Sequence, residues 1–157
     1  MSFHLRRQDR EIADIEEMKE ILKTTDSVTI ALCINNEPYL VSLSHGYDEE
    51  RNCIYFHCAP EGKKIVYIKA NNKVWGQAIV NYHVKGECEY TYACVHFSGR
   101  ISLIDNVDEK HDALACMIRQ LSANPEVKIA KLTPEKLSKT GVGRIDIEHL
   151  TGKKTKI

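Results

Sequence analysis

The sequence predicts a mainly β domain of the α+β kind: six antiparallel strands closed into a small barrel, with two main helices beside it. Three observations predict this. Six stretches rich in Val, Ile, Tyr, Phe and Thr are bounded by turn residues. Two other stretches open on a capping residue and continue with apolar positions at helical spacing. The six strands read as antiparallel, and an antiparallel set of this size closes most economically into a barrel, which removes its edges. The 157 residues form a single domain over 1–157, long enough to bury roughly two-thirds of the surface of the unfolded chain.

Residues 1–13 are polar, have no clear period and are expected to lie over the body. A helix should start at Asp14 as N-cap, with Glu17 completing a box-like pattern and Ile15, Met18, Ile21 and Leu22 forming one buried stripe. It should stop near Thr24-Thr25. Val28–Ile34 has few polar positions and reads as a strand buried on both faces or nearly so. Asn35-Asn36-Glu37-Pro38 turns the chain into the strand Tyr39–His45. Alternation there puts Tyr39, Val41 and Leu43 on one face and Leu40, Ser42 and Ser44 on the other. Two serines side by side on an inner strand ask for a polar partner.

Gly46 to Asn52 closes a hairpin onto Cys53-Ile54-Tyr55-Phe56-His57-Cys58, a strand that breaks at Ala59-Pro60. A helix follows through Ile65, Val66 and Ile68 to Asn71-Asn72, with Lys63 and Lys64 in its first turn. A helix start offers unpaired N–H groups and a partial positive charge, and two ammonium groups add to it, so this is a candidate phosphate site. The bland alternative is a solvated basic helix start, which works against the helix dipole.

Lys73–Val80 is the next strand, with Gly76 marking a bulge or close approach. A polar excursion over 81–89 contains Gly86. Tyr90–Ile104 is a long strand that bends at Ser98-Gly99, with Tyr92, Cys94 and His96 on one face. Asn106 caps the second main helix, expected to present Val107, His111, Leu114, Met117, Ile118 and Leu121. A short helix begins at Thr133-Pro134. The last strand, Val142–Leu150, is expected to stop at Thr151-Gly152. Tyr39, Tyr47, Tyr55, Tyr82, Tyr90 and Tyr92 cluster on the strands, more than a monomeric core needs, which suggests a dimer surface; core tyrosines with a bonded hydroxyl are the alternative.

The 22 basic and 22 acidic residues cancel, so no bulk field draws nucleic acid or an anionic membrane. No apolar run reaches membrane-spanning length and the N-terminus shows no signal-peptide core, so the expected place is the cytoplasm. Six cysteines, Cys33, Cys53, Cys58, Cys88, Cys94 and Cys116, contain no C-x-x-C, and no His pair sits at zinc-finger spacing. They are read as reduced thiols, with no metal site.

With these residues in view, the sequence resembles the pyridoxamine 5′-phosphate oxidase-like split-barrel flavoproteins, and within them the Nim-type nitroimidazole-resistance reductases. The match runs from Arg6-Arg7-Gln8-Asp9-Arg10 through Pro38–Tyr47 and Tyr55–Lys64 to Tyr92–Val95, Gly99-Arg100 and Ile145–Lys153. The resemblance implies a six-stranded split barrel that forms a homodimer with FMN at the interface. It also implies a flavin-dependent oxidoreductase that reduces a small acceptor such as a nitroaromatic. Val41, Ser42, Leu43, Ser44 and His45 would run beside the flavin, and Phe56 and His57 near its ring and ribityl chain. Lys63 and Lys64 would hold its phosphate, and Tyr92, Cys94 and Val95 would come from the other subunit. His57 would be the catalytic residue. Two positions depart from the pattern: Leu40 stands near an arginine of the oxidases, and Cys94 where Nim-type members usually carry serine. A flavin or haem carrier without turnover is the alternative, and a Cys/His metal site a third reading.

Overall fold

The computed structural model describes residues 5–84, 86 and 90–155, with the backbone alone for 81 and 82. Cys88, the Tyr82 side chain and Lys156 lie outside the described residues, as does most of the tip of the expected excursion over 81–89. Among the described residues seven strands form one antiparallel sheet: β1 (Glu11–Ile12), β2 (Ser27–Ile34), β3 (Glu37–Asp48), β4 (Cys53–Cys58), β5 (Lys73–Val84), β6 (Tyr90–Leu103) and β7 (Gly141–Lys154). Their order is β1-β7-β4-β3-β2-β5-β6, and β6 pairs back onto β7. Six strands therefore close a ring, as the sequence predicts, and β1 is an added edge on β7.

The long strand β7 makes this closure possible. Its first half lies between β4 (Cys53↔Asp146 to Cys58↔Gly141) and β6 (Arg100↔Asp146 to Leu103↔Gly143). Its second half stays on β6 and takes β1 on the other side, Ile12 opposite Gly152. The strand does not stop at Thr151-Gly152 as expected. A Cβ at Gly152 would lie 2.9 Å from Met18 Cγ, so this glycine admits the first helix instead of ending the strand.

Inside the ring, Ile30, Leu32, Ile54, Phe56, Val95, Phe97, Ile101 and Ile145 are buried. Full burial of such a side chain contributes about 1.5–3 kcal/mol. Two rings fill space that glycines vacate. Added Cβ atoms would meet Phe97 Cζ at 2.2 Å from Gly76 and Phe56 Cζ at 2.1 Å from Gly143. Gly76 is thus a close approach, one of the two roles its position suggests. The bend expected at Ser98-Gly99 is a register shift against β7. Asn35 and Asn36, with φ of 49° and 65°, make the β2–β3 turn in the left-handed conformation that asparagine tolerates.

The helices are α1 (Ile15–Thr24), α2 (Lys63–Ala70), α3 (Val107–Leu121), α4 (Pro125–Ile129) and α5 (Pro134–Lys139). Asp14 caps α1 by accepting from Glu16 N at 3.0 Å, whereas Glu17 reaches out to Lys154 at 2.7 Å instead of completing a box. Asn106 caps α3 through Glu109 N at 2.9 Å. The stripe of α3 is shifted from the expected one: Ala113, Leu114, Ala115 and Met117 are buried, while Val107 and Leu121 are exposed. Small alanines let the helix approach the β3–β4 hairpin, and a Cβ on Gly46 would lie 2.7 Å from the Met117 backbone. Residues 8–12, expected only to lie over the body, form a short 3-10 turn and β1, because Ile12 is buried against Met18 and Gly152. β2 buries Val28, Ile30 and Leu32 on one face only; Thr29 and Ala31 lie half-buried on the outer wall. Among the described residues no helix is long and apolar enough to cross a membrane.

Candidate functional site

β3 alternates as its pattern demands. Leu40, Ser42 and Ser44 are exposed on the outer wall, while Leu43 and His45 are buried and Val41 is half-buried toward the core. Of the five consecutive candidates on this strand, only the two serines offer side chains to the wall; Val41, Leu43 and His45 offer backbone. His45 is a core histidine. Its Nε2–H donates to Leu22 O at 2.8 Å, and its buried Nδ1 has no partner among the described residues. Burial pushes its protonation below the ordinary 6.5, so the ring is neutral at pH 7. Gln120 locks the same corner, accepting from Tyr47 N at 2.8 Å and donating to Leu22 O and Thr25 O at 3.1 and 2.9 Å.

β4 buries Cys53 through Phe56 and turns His57 outward, fully on the surface side. His57 and Ser44 flank the last β3–β4 pair, His45↔Phe56, so both face the same side of the sheet. Beyond Cys58 the chain turns, and α2 starts at Lys63 behind Gly62, whose φ of 119° suits glycine. No side chain caps this helix start among the described residues. The two lysines then diverge. Lys63 Nζ sits 4.7 Å from the Tyr39 ring centre and 5.4 Å from that of Tyr67, with Glu37 Oε1 at 3.9 Å. Lys64 Nζ stands over Phe56 at 5.9 Å, and no carboxylate pairs with it among the described residues. Lys63 thus has both ring and carboxylate neighbours in its own chain, while Lys64 has a ring neighbour alone among the described residues.

On β6, Tyr92 and Cys94 face the outer wall and Val95 faces the core with no exposure. Lys153 Nζ stands 5.8 Å from the Tyr92 ring centre. Cys94 is almost wholly buried, and burial pushes its thiol up, so it is a thiol at neutral pH. Three strand steps separate β3 from β6, about 14 Å at the usual strand spacing. One chain therefore brings together Ser42, Ser44 and His57 on the outer face, sets Lys63 and Lys64 beside the core-facing Tyr39 and Phe56, and keeps Tyr92, Cys94 and Val95 three strands away from β3.

Register also aligns residues that the sequence reading did not single out. Ser42 is opposite Thr29, Thr29 opposite Gln77, Gln77 opposite His96, and His96 opposite Thr151. They form one polar row across the wall, with a Ser42–Thr29 hydroxyl contact of 3.0 Å at its start. That contact gives Ser42 a polar partner, one of the two serines that call for one. The next row is more apolar: Leu40, Ala31, Trp75 and Ser98. Two cavities open along these rows, about 310 Å³ beside Trp75 and Leu40 and about 180 Å³ beside Tyr92 and Cys94. Gln77 and His96 line both. The sequence signal for them was the alternation of Trp75, Gln77 and Ile79; which face of β5 stayed outside was not readable. Among the described residues no three of His, Cys, Asp or Glu come together as a metal site would need.

The comparisons with known proteins bear on this architecture. A candidate 5-nitroimidazole antibiotic resistance protein from Bacteroides thetaiotaomicron superimposes with a TM-score of 0.77 at 20% identity, over 97% of this chain and 95% of its own. The flavocytochrome Anf3 from Azotobacter vinelandii gives 0.80 at 15%, over 98% and 73%. An FAD and haem binding protein from Mycobacterium smegmatis gives 0.81 at 14%, over 94% and 74%. At such identities these likenesses establish the fold. No curated protein matches the sequence. The family model of pyridoxamine 5′-phosphate oxidase matches residues 14–154, nearly the whole chain and every strand of the closed ring. By that match the chain belongs to the pyridoxamine 5′-phosphate oxidase family.

Proposed function

We propose that this protein is a cytoplasmic FMN-binding flavoprotein, a homodimer with the cofactor at its interface, that reduces a small acceptor such as a nitroaromatic. The observation that carries the reading is that Ser42, Ser44 and His57 share the outer face of the β3–β4 pair, with the uncapped α2 start and Lys64 a few residues beyond the end of β4. Those groups fit the cofactor. Unpaired N–H groups at the helix start and a free ammonium suit a dianionic phosphate. The serine hydroxyls and β3 backbone suit a polyol chain and the polar edge of a ring. Bound FMN would supply the electrons of the reduction. Exposed His57 would hold the proton that the reduced acceptor takes up.

The second copy enters for a geometric reason. Tyr92, Cys94 and the Val95 backbone stand about 14 Å from β3 in their own chain. They would meet a flavin held by another protomer. The outer wall also leaves Leu40, Trp75 and Ile79 exposed, an apolar surface that a second wall would cover. Absorbance of the purified protein tests the cofactor, and sedimentation tests the dimer. The reading expects flavin bands and a species of twice the 17.9 kDa protomer. Protein that takes up no FMN, or sediments only as the protomer at micromolar concentration, would overturn it. Carriage of flavin or haem without turnover is the second reading, favoured by the names of two structural neighbours, a flavocytochrome and an FAD and haem binding protein. A sharp near-violet haem band, or bound flavin that no acceptor oxidises, would select it.

A further inference from the structure

Where β6 ends and β7 begins, a cavity of about 320 Å³ opens between α2, α3 and α5. It is separate from the surfaces already assigned. None of Ser42, Ser44, His57, Lys63 and Lys64 lines it, nor does Leu40, Trp75 or Ile79 of the wall that a second protomer would cover. Its apolar lining is Ile65 from α2, Leu103 and Ile104 from the end of β6, and Val142 from β7. Ile65, Ile104 and Val142 are buried, and Ile104 N donates to Val142 O at 2.9 Å, so this floor is fixed by the barrel. The charged lining is Lys69, Lys110 and Asp105.

The two ammonium groups are the donors this cavity offers from its side chains. The hydroxyls of Ser138 and Thr140, which also line it, donate to Glu135 O and Lys136 O of their own helix, each at 2.8 Å. Half-buried Lys110 reaches from the first turn of α3 to Thr140 O at 3.1 Å and Leu137 O at 3.4 Å. An ammonium carries three protons, so one remains uncommitted. Among the described residues no carboxylate pairs with Lys110 or Lys69. A partly buried cation without a counter-charge gains most from an anion that brings its own apolar cover.

We propose that this cavity binds a small monocarboxylate with an apolar body, its carboxylate on Lys110 and Lys69 and its body against Ile104 and Val142. The lining sums to one formal positive charge, two ammonium groups against Asp105, which a monoanion balances and a dianion exceeds. Asp105 is exposed and keeps its water, so it asks for no cationic partner. The volume is at the small end of ligand pockets and suits one ring on a short chain.

The test follows the methyl resonances of Ile65, Ile104, Leu103 and Val142 while the whole chain is titrated with 3-phenylpropanoate. Two probes of the same skeleton, uncharged 3-phenylpropanol and cationic phenethylamine, are titrated separately. Saturable shifts of those methyls are expected, with the carboxylate about tenfold tighter than the alcohol. Lys110→Met should remove most of that preference and Lys69→Met about threefold of it, the alcohol changing little in either. Lys110 also ties α3 to α5, whereas Lys69 bonds no other side chain among the described residues, so the second variant tests the site without loosening the fold. Dispersion of the remaining methyl resonances shows that each variant is folded. Shifts that do not saturate, equal affinity for acid and alcohol, tighter binding of the amine, or full preference kept in both variants would overturn the proposal. None of these readouts depends on whether the protein takes up FMN.

Discussion

Replacing Lys64 and Lys63 one at a time by alanine should split the basic pair. In the structure the two ammonium groups do different work. Lys63 is held between the Tyr39 and Tyr67 rings, themselves 5.2 Å apart, with Glu37 beside it, and straps α2 to β3. Lys64 is half-buried, without a carboxylate partner among the described residues, in the first turn of a helix that no side chain caps. A charge-assisted contact to phosphate contributes about 1.5–3 kcal/mol, so Lys64→Ala should weaken FMN by roughly 10- to 150-fold. Lys63→Ala removes a cation–π contact at an exposed site and should change FMN affinity by no more than about threefold. Quenching of flavin fluorescence on titration measures both, with riboflavin as the ligand that lacks phosphate. Riboflavin affinity should be nearly unchanged in Lys64→Ala. Equal losses for FMN and riboflavin, or a Lys63→Ala loss as large as that of Lys64→Ala, would refute the reasoning.

Three further outcomes are expected. His57→Gln keeps a hydrogen bond but cannot titrate, so FMN should stay bound while turnover of a nitroaromatic test acceptor falls by about 10²–10⁴, and a variant that turns over normally reduces His57 to a contact. His45 is depressed in the folded state by burial, although its bond to Leu22 O and the charge of Asp26 oppose the shift. Its contribution to stability is therefore complete above the unfolded value near 6.5 and is lost as pH falls from there through the folded value. Urea midpoints at pH 7.5 and 5.5 should drop less in His45→Gln than in wild type; His96 is shifted the same way and keeps part of the drop, and identical drops would remove His45 from the account. Gly143→Ala should cost about 1–3 kcal/mol in urea unfolding, because the new Cβ would fall 2.1 Å from the fully buried Phe56 ring; an unchanged midpoint would show that the ring can move.

The sequence by itself determined most of the local structure, because local structure follows from period, caps and turn residues. The alternation in 39–45 assigned the serines to one face, Asp14 and Asn106 began helices, and Asn35-Asn36 made a turn. The order of motifs from Tyr55 to Lys64 also carried the family. What the chain could not declare was set by distant partners. Whether the ring closes depends on β7 lying between β4 and β6, contacts some 40 to 90 residues apart in the chain. Ile12 became a strand only because Gly152 was there to meet it, and Gly152 continued a strand where its residue type suggested an end. The same holds at the candidate site. Lys63 and Lys64 are equals in sequence and unequal once Tyr39, Tyr67 and Glu37 surround one of them. Gln77 and His96 are ordinary strand residues until register sets them side by side on the outer wall. Spacing along the chain fixes which face a residue takes relative to its neighbours; only packing fixes which face is turned to solvent, and what stands across from it.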